Sequence, residues 1–242
     1  MVDGIATAAT DADATAANNT ISITNAYTDL VGNPGSSQTS ANYSVDRKAP
    51  TASISLSDTA LQAGESATVT ITFSEKVSSF TNADVTAENG TLGTFASTDG
   101  ITWTAQFTPS ASTQVAVNTL SLATSYTDEA GNTGTAASAV YAVDTRAPAF
   151  VAKLDVSSNS GVTTDLITSD DTPTISGTGT AGDTITLYAP NGTTVLGTAV
   201  VDATGNWAIT PTTALPDGVT TLSATATDPQ GNTSAPGPVS VT

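Results

Sequence analysis

The chain has no cysteine and no histidine. Disulfide staples, thiolate zinc sites and most nucleophile–base pairs are therefore excluded. Basic residues are nearly absent: Lys plus Arg total 5 against 22 acidic residues, a formal net charge of −17. Phosphate recognition needs clustered Lys and Arg, so nucleic acid and anionic membranes are poor partners. There is one Met, aromatic residues make up only 5%, and no apolar run approaches the ~18 residues of a membrane span. The opening "MVDGIATAATDADAT" carries neither a basic nor an apolar stretch and does not read as a Sec-type signal. On that reading the protein is either cytosolic or exported by a signal elsewhere in a longer chain.

What remains is Thr, Ser, Ala, Val, Asn and Gly, a composition that favours strands and turns over helix bundles. The 242 residues suit one large or two ordinary domains, and two repeated phrases decide between these. "YTDLVGNPG" from Tyr27, "YTDEAGNTG" from Tyr126 and "ATDPQGNTS" from Ala226 share Asp-x-x-Gly-Asn. "YSVDRKAP" from Tyr43 matches "YAVDTRAP" from Tyr141. A period of roughly 100 residues is the size of a domain, and repeats at that period mean a tandem array. Ala-Pro after a charged pair reads as a junction, because Pro ends ladder pairing. The expected units are 1–46, 47–144 and 145–242, with boundaries near Asp46 and Asp144.

The second unit alternates with period two. "TVTITF" puts Val69, Ile71 and Phe73 on one face; "ITWTAQF" does so with Ile101, Trp103 and Phe107, and "NTLSLATSYT" with Leu120, Leu122 and Tyr126. Such alternation predicts half-buried antiparallel strands, and Ala63-Gly64, Asn89-Gly90, Asp99-Gly100 and Gly131-Asn132 supply turns between them. Short strands at this spacing predict an immunoglobulin-like β-sandwich. The third unit follows suit with "DTITLY", "TTVLGTAVV", "GNWAIT" and "TTLSATAT". Residues 156–171 read as a long polar loop. Residues 1–46 match only the end of the second unit and are expected to supply about two final strands, too few for independent stability. The fold expected is all-β, two full sandwiches plus the C-terminal fragment of a preceding one, in a segment of a longer array.

The words "VDRKAPTASISLSDTALQAGESATVTITFSEKVSSFTNADVTAENGTL", "DDTPTISGTGTAGDTITLY" and "TLSATATDPQGNTS" resemble the bacterial Ig-like tandem repeats of giant secreted RTX-type and biofilm adhesins. The third unit resembles a sister class of the second. The resemblance implies a non-enzymatic extender at the bacterial cell surface, exported from the cell, serving adhesion or biofilm formation. The partners it implies are neighbouring repeats and, through other domains, host or environmental surfaces, without membrane insertion. It also implies calcium at the junctions, stiffening the rod.

Strand order makes that last implication specific. "ATVTITF" as strand B makes "SEKV" the start of the B–C connection, and "NTLSLATSYT" as strand F makes "DEAGN" the F–G loop. Both face the preceding junction, so Asp46, Glu75 and Asp128 are expected to converge. The second junction offers Asp144, Asp228 and either Asp183 or only carbonyls. Calcium takes about 6–8 oxygens, carboxylates mixed with carbonyls and water. Against this stands a simpler account, since Asp-x-x-Gly is good turn chemistry by itself. The matching Asp in the linker phrase tips the balance, because a linker needs no carboxylate and gathered like charges are costly without a cation. Asp84 and Asp202 read as turn residues, Trp103 and Trp207 as core. The Asp155–Asp171 loop reads as solvated, with Asn159 where related repeats often carry Asp. A glycan- or protein-binding module remains the alternative function; an enzyme finds no Ser–base pair, His or Cys to work with.

Overall fold

A computed structural model describes residues 15–162 and 165–242, so residues 1–14 of the expected first unit, and 163–164 of the expected loop, lie outside it. Among the described residues the regular elements are all strands apart from one 3-10 turn at Asn82–Asp84. The first unit contributes β1 (Thr15–Asn19), β2 (Ser22–Ile23), β3 (Gln38–Thr39) and β4 (Tyr43–Asp46). They form two antiparallel ribbons, β1 with β4 and β2 with β3.

The second unit is a sandwich of two four-stranded sheets. One sheet runs β5 (Ala52–Leu56), β7 (Ala67–Phe73), β10 (Thr102–Pro109) and β9 (Gly90–Leu92). The other runs β6 (Ala60–Gln62), β12 (Ala137–Asp144), β11 (Gln114–Leu122) and β8 (Val85–Ala87). Every pairing is antiparallel except β6 beside β12. In immunoglobulin terms this is A-B-E-D facing A′-G-F-C. The alternation seen in the sequence is the cause: Val69, Ile71 and Phe73 point inward from β7 and meet Phe107, Leu120, Leu122 and Tyr141 in one core. Aromatic rings cluster in it, with Phe73 4.8 Å from Tyr126 and Phe107 5.0 Å from Tyr141 between centroids. Edge-to-face and tilted contacts of this kind suit the ring quadrupoles. Trp103 packs against the core and Trp207 is buried in the next one, as expected of both.

Two buried polar residues hold irregular places. The register slips between Val115 and Asn118 of β11. There the Asn118 amide donates to Val115 O and Tyr141 O at 3.0 and 3.2 Å and accepts from Asn89 Nδ2. Asp84, expected to shape a turn, lies buried in the 3-10 turn, where it accepts from Thr81 N at 2.7 Å and from the Ser125 hydroxyl. Asp202 is a turn residue as expected, accepting from Thr204 N and Asn206 N at 2.8 and 3.0 Å.

The third unit has a three-stranded sheet, β13 (Val151–Leu154), β14 (Ile175–Thr178) and β17 (Asn206–Ile209). It faces a four-stranded sheet of β16 (Val195–Val200), β15 (Thr184–Tyr188), β18 (Thr220–Thr227) and β19 (Gly237–Val241). Its core is separate from that of the second unit. The described residues between Leu154 and Ile175 form no strand, and Ser157, Ser158 and Thr172 there lean on Asp155 and Asp170.

The first unit keeps the local geometry of the second without an opposing sheet among the described residues. The Tyr27 hydroxyl donates to Ser36 O at 3.0 Å, as Tyr126 does to Thr135 O at 2.8 Å. Tyr126 is 0% exposed and Tyr27 36%. In both units a glycine lies flat on the tyrosine ring: a Cβ on Gly35 or Gly134 would fall 2.0 or 2.1 Å from ring carbons. The Gly134→Ala variant should lose about 1–3 kcal/mol to this overlap, read as a lower denaturation midpoint of the second unit, and Gly131→Ala should not reproduce the steric part, having nothing within 4 Å.

Candidate functional site at the unit junctions

The ends of the sandwiches are built by their F–G loops. In the second unit Asp128 opens a turn in which Gly131 N donates to Asp128 O, and Gly131 takes φ 90°. Only glycine holds that left-handed conformation without steric cost. The loop is then fixed by one side-chain pair. Asp128 Oδ1 accepts from Asn132 N at 2.8 Å and Oδ2 from Asn132 Nδ2 at 2.7 Å. The same Asn132 amide donates to the carbonyl of Asp46 at 3.1 Å, tying the loop to the preceding linker. The B–C connection is stitched alongside: Val77 bridges Asp128, and Ser78 Oγ donates to Asp128 O at 3.0 Å.

That stitching brings the three expected carboxylates together. Ligand oxygens of Asp46, Glu75 and Asp128 lie within 4.8 Å of one another. Asp128 is 2% exposed, while Asp46 and Glu75 are half-buried. Burial, then the charges of Asp46 and Asp128, push the Glu75 carboxyl above its ordinary value, against the opposite pull of Lys48. Burial also works against ionising Asp128, but hydrogen bonds from the Asn132 side chain and from the backbone of Asn132, Ala130 and Gly131 outweigh it and hold this carboxyl below its ordinary value. One acid is thus favoured in its ionised form by its loop, and a neighbour resists ionisation through burial and the charges of the other two carboxylates. Three hard oxygen donors beside linker and loop carbonyls fit a calcium-type cation.

The second junction repeats the loop and departs in the carboxylates. Asp228 Oδ1 accepts from Asn232 N at 2.8 Å and Oδ2 from Asn232 Nδ2 at 2.9 Å, and Asn232 Nδ2 also donates to Asp144 O at 2.9 Å. Asp183 is 2% exposed and its Oδ2 has no hydrogen-bond partner. Burial and the charge of Asp228 raise its titration, opposed by hydrogen bonds to Thr180. The Asp144 side chain accepts from Arg146 N at 3.3 Å, as Asp46 does from Lys48 N at 3.1 Å, and in addition from Gln114 Nε2 at 2.8 Å. Among the described residues, the first junction is the place where three acidic ligand atoms gather. In the first unit Asp29 and Asn33 make the same pair, at 2.9 Å to the backbone and 2.7 Å to the amide.

Sequence reasoning treated the asparagines as turn formers and missed them as linker contacts. The signal was present: Asn33, Asn132 and Asn232 each follow their Asp by the same interval.

Comparison with known proteins follows the same division. Residues 46–144 match one family model and residues 146–242 another, and both are described as a bacterial Ig-like domain. No curated protein matches the chain. Among solved structures, the BSP domain of a biofilm-associated protein is 22% identical over 78% of this chain and 29% of its own, with a TM-score of 0.28. A tetra-tandem repeat from the extending region of a large adhesion protein is 20% identical over 88% of this chain and 54% of its own, at 0.30. The Yersinia pseudotuberculosis adhesin InvE is 12% identical over 78% of this chain and 58% of its own, at 0.31. The chain thus spans between 29% and 58% of the length of these three structures.

A group whose folded pKa is raised contributes stability that is complete below its unfolded value and lost as pH rises through the folded one. Glu75 is such a group. With divalent cations chelated, the second unit should lose stability at this site as pH climbs from the ordinary glutamate range through the raised value. Glu75→Gln should remove that pH dependence and stabilise the chelated protein at neutral pH by about 0.5 kcal/mol, the size of a partly screened like-charge contact; thermal melts across pH 4–8 would record it.

Proposed function

The chain belongs to the bacterial Ig-like domains, and from that premise we propose that it is a non-enzymatic extender segment of a large exported surface adhesin, its rod stiffened by calcium at unit junctions. Residues 1–46 then form the last strands of one repeat, 47–144 a complete repeat, and 145–242 a complete repeat of a second class. The observation that carries the reading is the convergence of Asp46, Glu75 and Asp128 at the seam between two units. A spacer has no use for three adjacent carboxylates unless something neutralises them, and gathered like charges next to a buried loop oppose docking of the units.

Asp46 is the last residue of β4, where the linker begins, Glu75 comes from the B–C connection and Asp128 from the F–G loop. A cation held by all three would couple the linker to the following sandwich. Its chemistry is charge neutralisation and oxygen coordination, with no reaction to catalyse. At the second junction the proposed ligands are Asp183 and Asp228, with Asp144 joining through its side chain once released from Gln114. The orphaned Asp183 oxygen supports a ligand there, but the set is less complete. The surface is strongly acidic, at −17 net, which suits a projecting rod that does not adhere to its own cell's anionic surface.

No helix among the described residues is long and apolar enough to cross a membrane. Attachment to the cell and recognition of a host or environmental surface therefore fall to other parts of the adhesin in this proposal.

Calorimetric titration should show saturable calcium binding to the wild type. Asp46→Ala and Glu75→Gln should abolish the first-junction event while leaving both sandwiches folded. Small-angle scattering should show a shorter mean particle in chelator than in calcium. A titration without heat or saturation, together with an unchanged particle length, would refute the proposal.

A further inference from the structure

Asn232 is 3% exposed and sits where the second and third units meet. A side-chain amide offers one accepting carbonyl and a pair of donor hydrogens, and at Asn232 each part has a partner on a different segment. Nδ2 donates to the carbonyl of Asp144, the last residue of β12, and to the carboxylate of Asp228 in the F–G loop, both at 2.9 Å. Oδ1 accepts from the backbone N–H of Ala63 at 2.9 Å. Ala63 belongs to the second unit, in the turn between β6 and β7. One side chain therefore ties together a turn of one sandwich, the linker, and a loop of the next.

The surroundings are fitted to that contact. The turn is closed by Glu65 N donating to Gln62 O, and Gly64 takes φ 84°. Gly231, next to Asn232, lies so near the turn that a Cβ on it would be 3.1 Å from Gln62 Oε1. The linker cannot swing freely on its own side either. Thr145 is buried; its Oγ1 accepts from Thr113 N at 3.0 Å and donates to Ser110 O at 2.7 Å, and its N donates to Thr113 O at 2.7 Å. Asp144 and Thr145 are thus part of the second sandwich, and the joint that remains is the contact made by Asn232.

We infer that Asn232 latches the second junction whether or not a cation is bound beside it at Asp183 and Asp228, so that this joint stays closed in chelator, while the proposed site at Asp46, Glu75 and Asp128 makes the first joint responsive to divalent ions. At the first junction Asn132 makes the equivalent bond to the linker carbonyl, and the carboxylate trio stands beside it. The latch does not rest on the calcium reading, and testing it in chelator lets the two fail separately.

The absence of cysteine allows two spin labels to be placed uniquely, at the exposed positions Thr104 and Thr198, one on each sandwich. In chelator the labelled full chain should give one narrow distance distribution. Asn232→Ala should broaden it, and amide exchange at Ala63 should quicken roughly fivefold, the equilibrium equivalent of one net hydrogen bond. The amides of Gly231 and Ser234, which donate within the F–G loop to Asp228 O and Ala226 O, should stay protected, separating a lost latch from a collapsed loop. If they too lose protection, Ala63→Pro decides the matter. The position precedes a glycine of positive φ in a closed four-residue turn, where proline is well accommodated, and the substitution removes the donor while sparing Asn232. A broad distribution for the wild type in chelator, or a narrow one retained in Ala63→Pro, would overturn the latch.

Discussion

The joints of this molecule depend on a carboxylate holding an amide. Asp128 grips Asn132 by backbone and side chain, and Asp228 grips Asn232 in the same way. An asparagine on a surface loop would otherwise sample several rotamers, and ordering it carries an entropic cost. The charged acceptor offsets that cost, because hydrogen bonds to ionised groups are stronger than neutral ones. Once oriented, the amide reaches back to the carbonyl of the linker aspartate. The F–G loop is therefore both the end of one sandwich and the receptor for the strand that leaves the previous one.

The same arrangement creates the electrostatic problem at the first seam. Asp128 has to be ionised to orient Asn132, and its loop keeps it so. That charge then bears on Glu75, which the B–C connection holds nearby and which Asp46 crowds from the linker. Moving the cluster apart would break the bridge between Val77 and Asp128 and the bond from Ser78. The backbone thus pins the carboxylates together, and burial with the charges of Asp46 and Asp128 raises the Glu75 carboxyl against the opposite pull of Lys48. At the second seam fewer carboxylates gather. Asp144 is engaged by Gln114 across the ladder, leaving Asp183 and Asp228 as the acidic pair.

Much of this was legible in the sequence because the strands obey a two-residue period. Val69, Ile71, Phe107 and Leu120 were readable as inward positions from alternation alone, and all four are fully buried. Strand order then placed Glu75 and Asp128 at one end of the sandwich, since an immunoglobulin-like topology returns the B–C and F–G loops to the same side. Less legible were groups whose role depends on a distant backbone atom. Asn232 bonds an amide 169 positions away, and no local pattern marks Ala63 as its partner. Asp84 read as a turn residue, and its burial beneath Ser125 is a tertiary fact. Asp144 matched Asp46 in the repeat, but Gln114 across the ladder redirects its side chain, which the linker phrase could not reveal.

That redirection shows how near-identical words can make unlike joints. Gln114 pairs with Asp144 at the end of β11 and β12, and the Arg146 guanidinium in turn donates to Gln114. The linker aspartate of the second junction is thereby hydrogen-bonded from within its own sandwich. At the first junction Asp46 lies among Glu75, Asp128 and Lys48, and Glu75 registers the excess of negative charge. The repeat preserves the amide that grips the linker, while the residues around the linker aspartate decide whether the joint also has a place for a cation. If the proposed cation site stiffens its joint, a tandem array of this kind would vary the stiffness of each joint through one or two side chains at the sandwich ends, leaving the cores and the F–G loop unchanged.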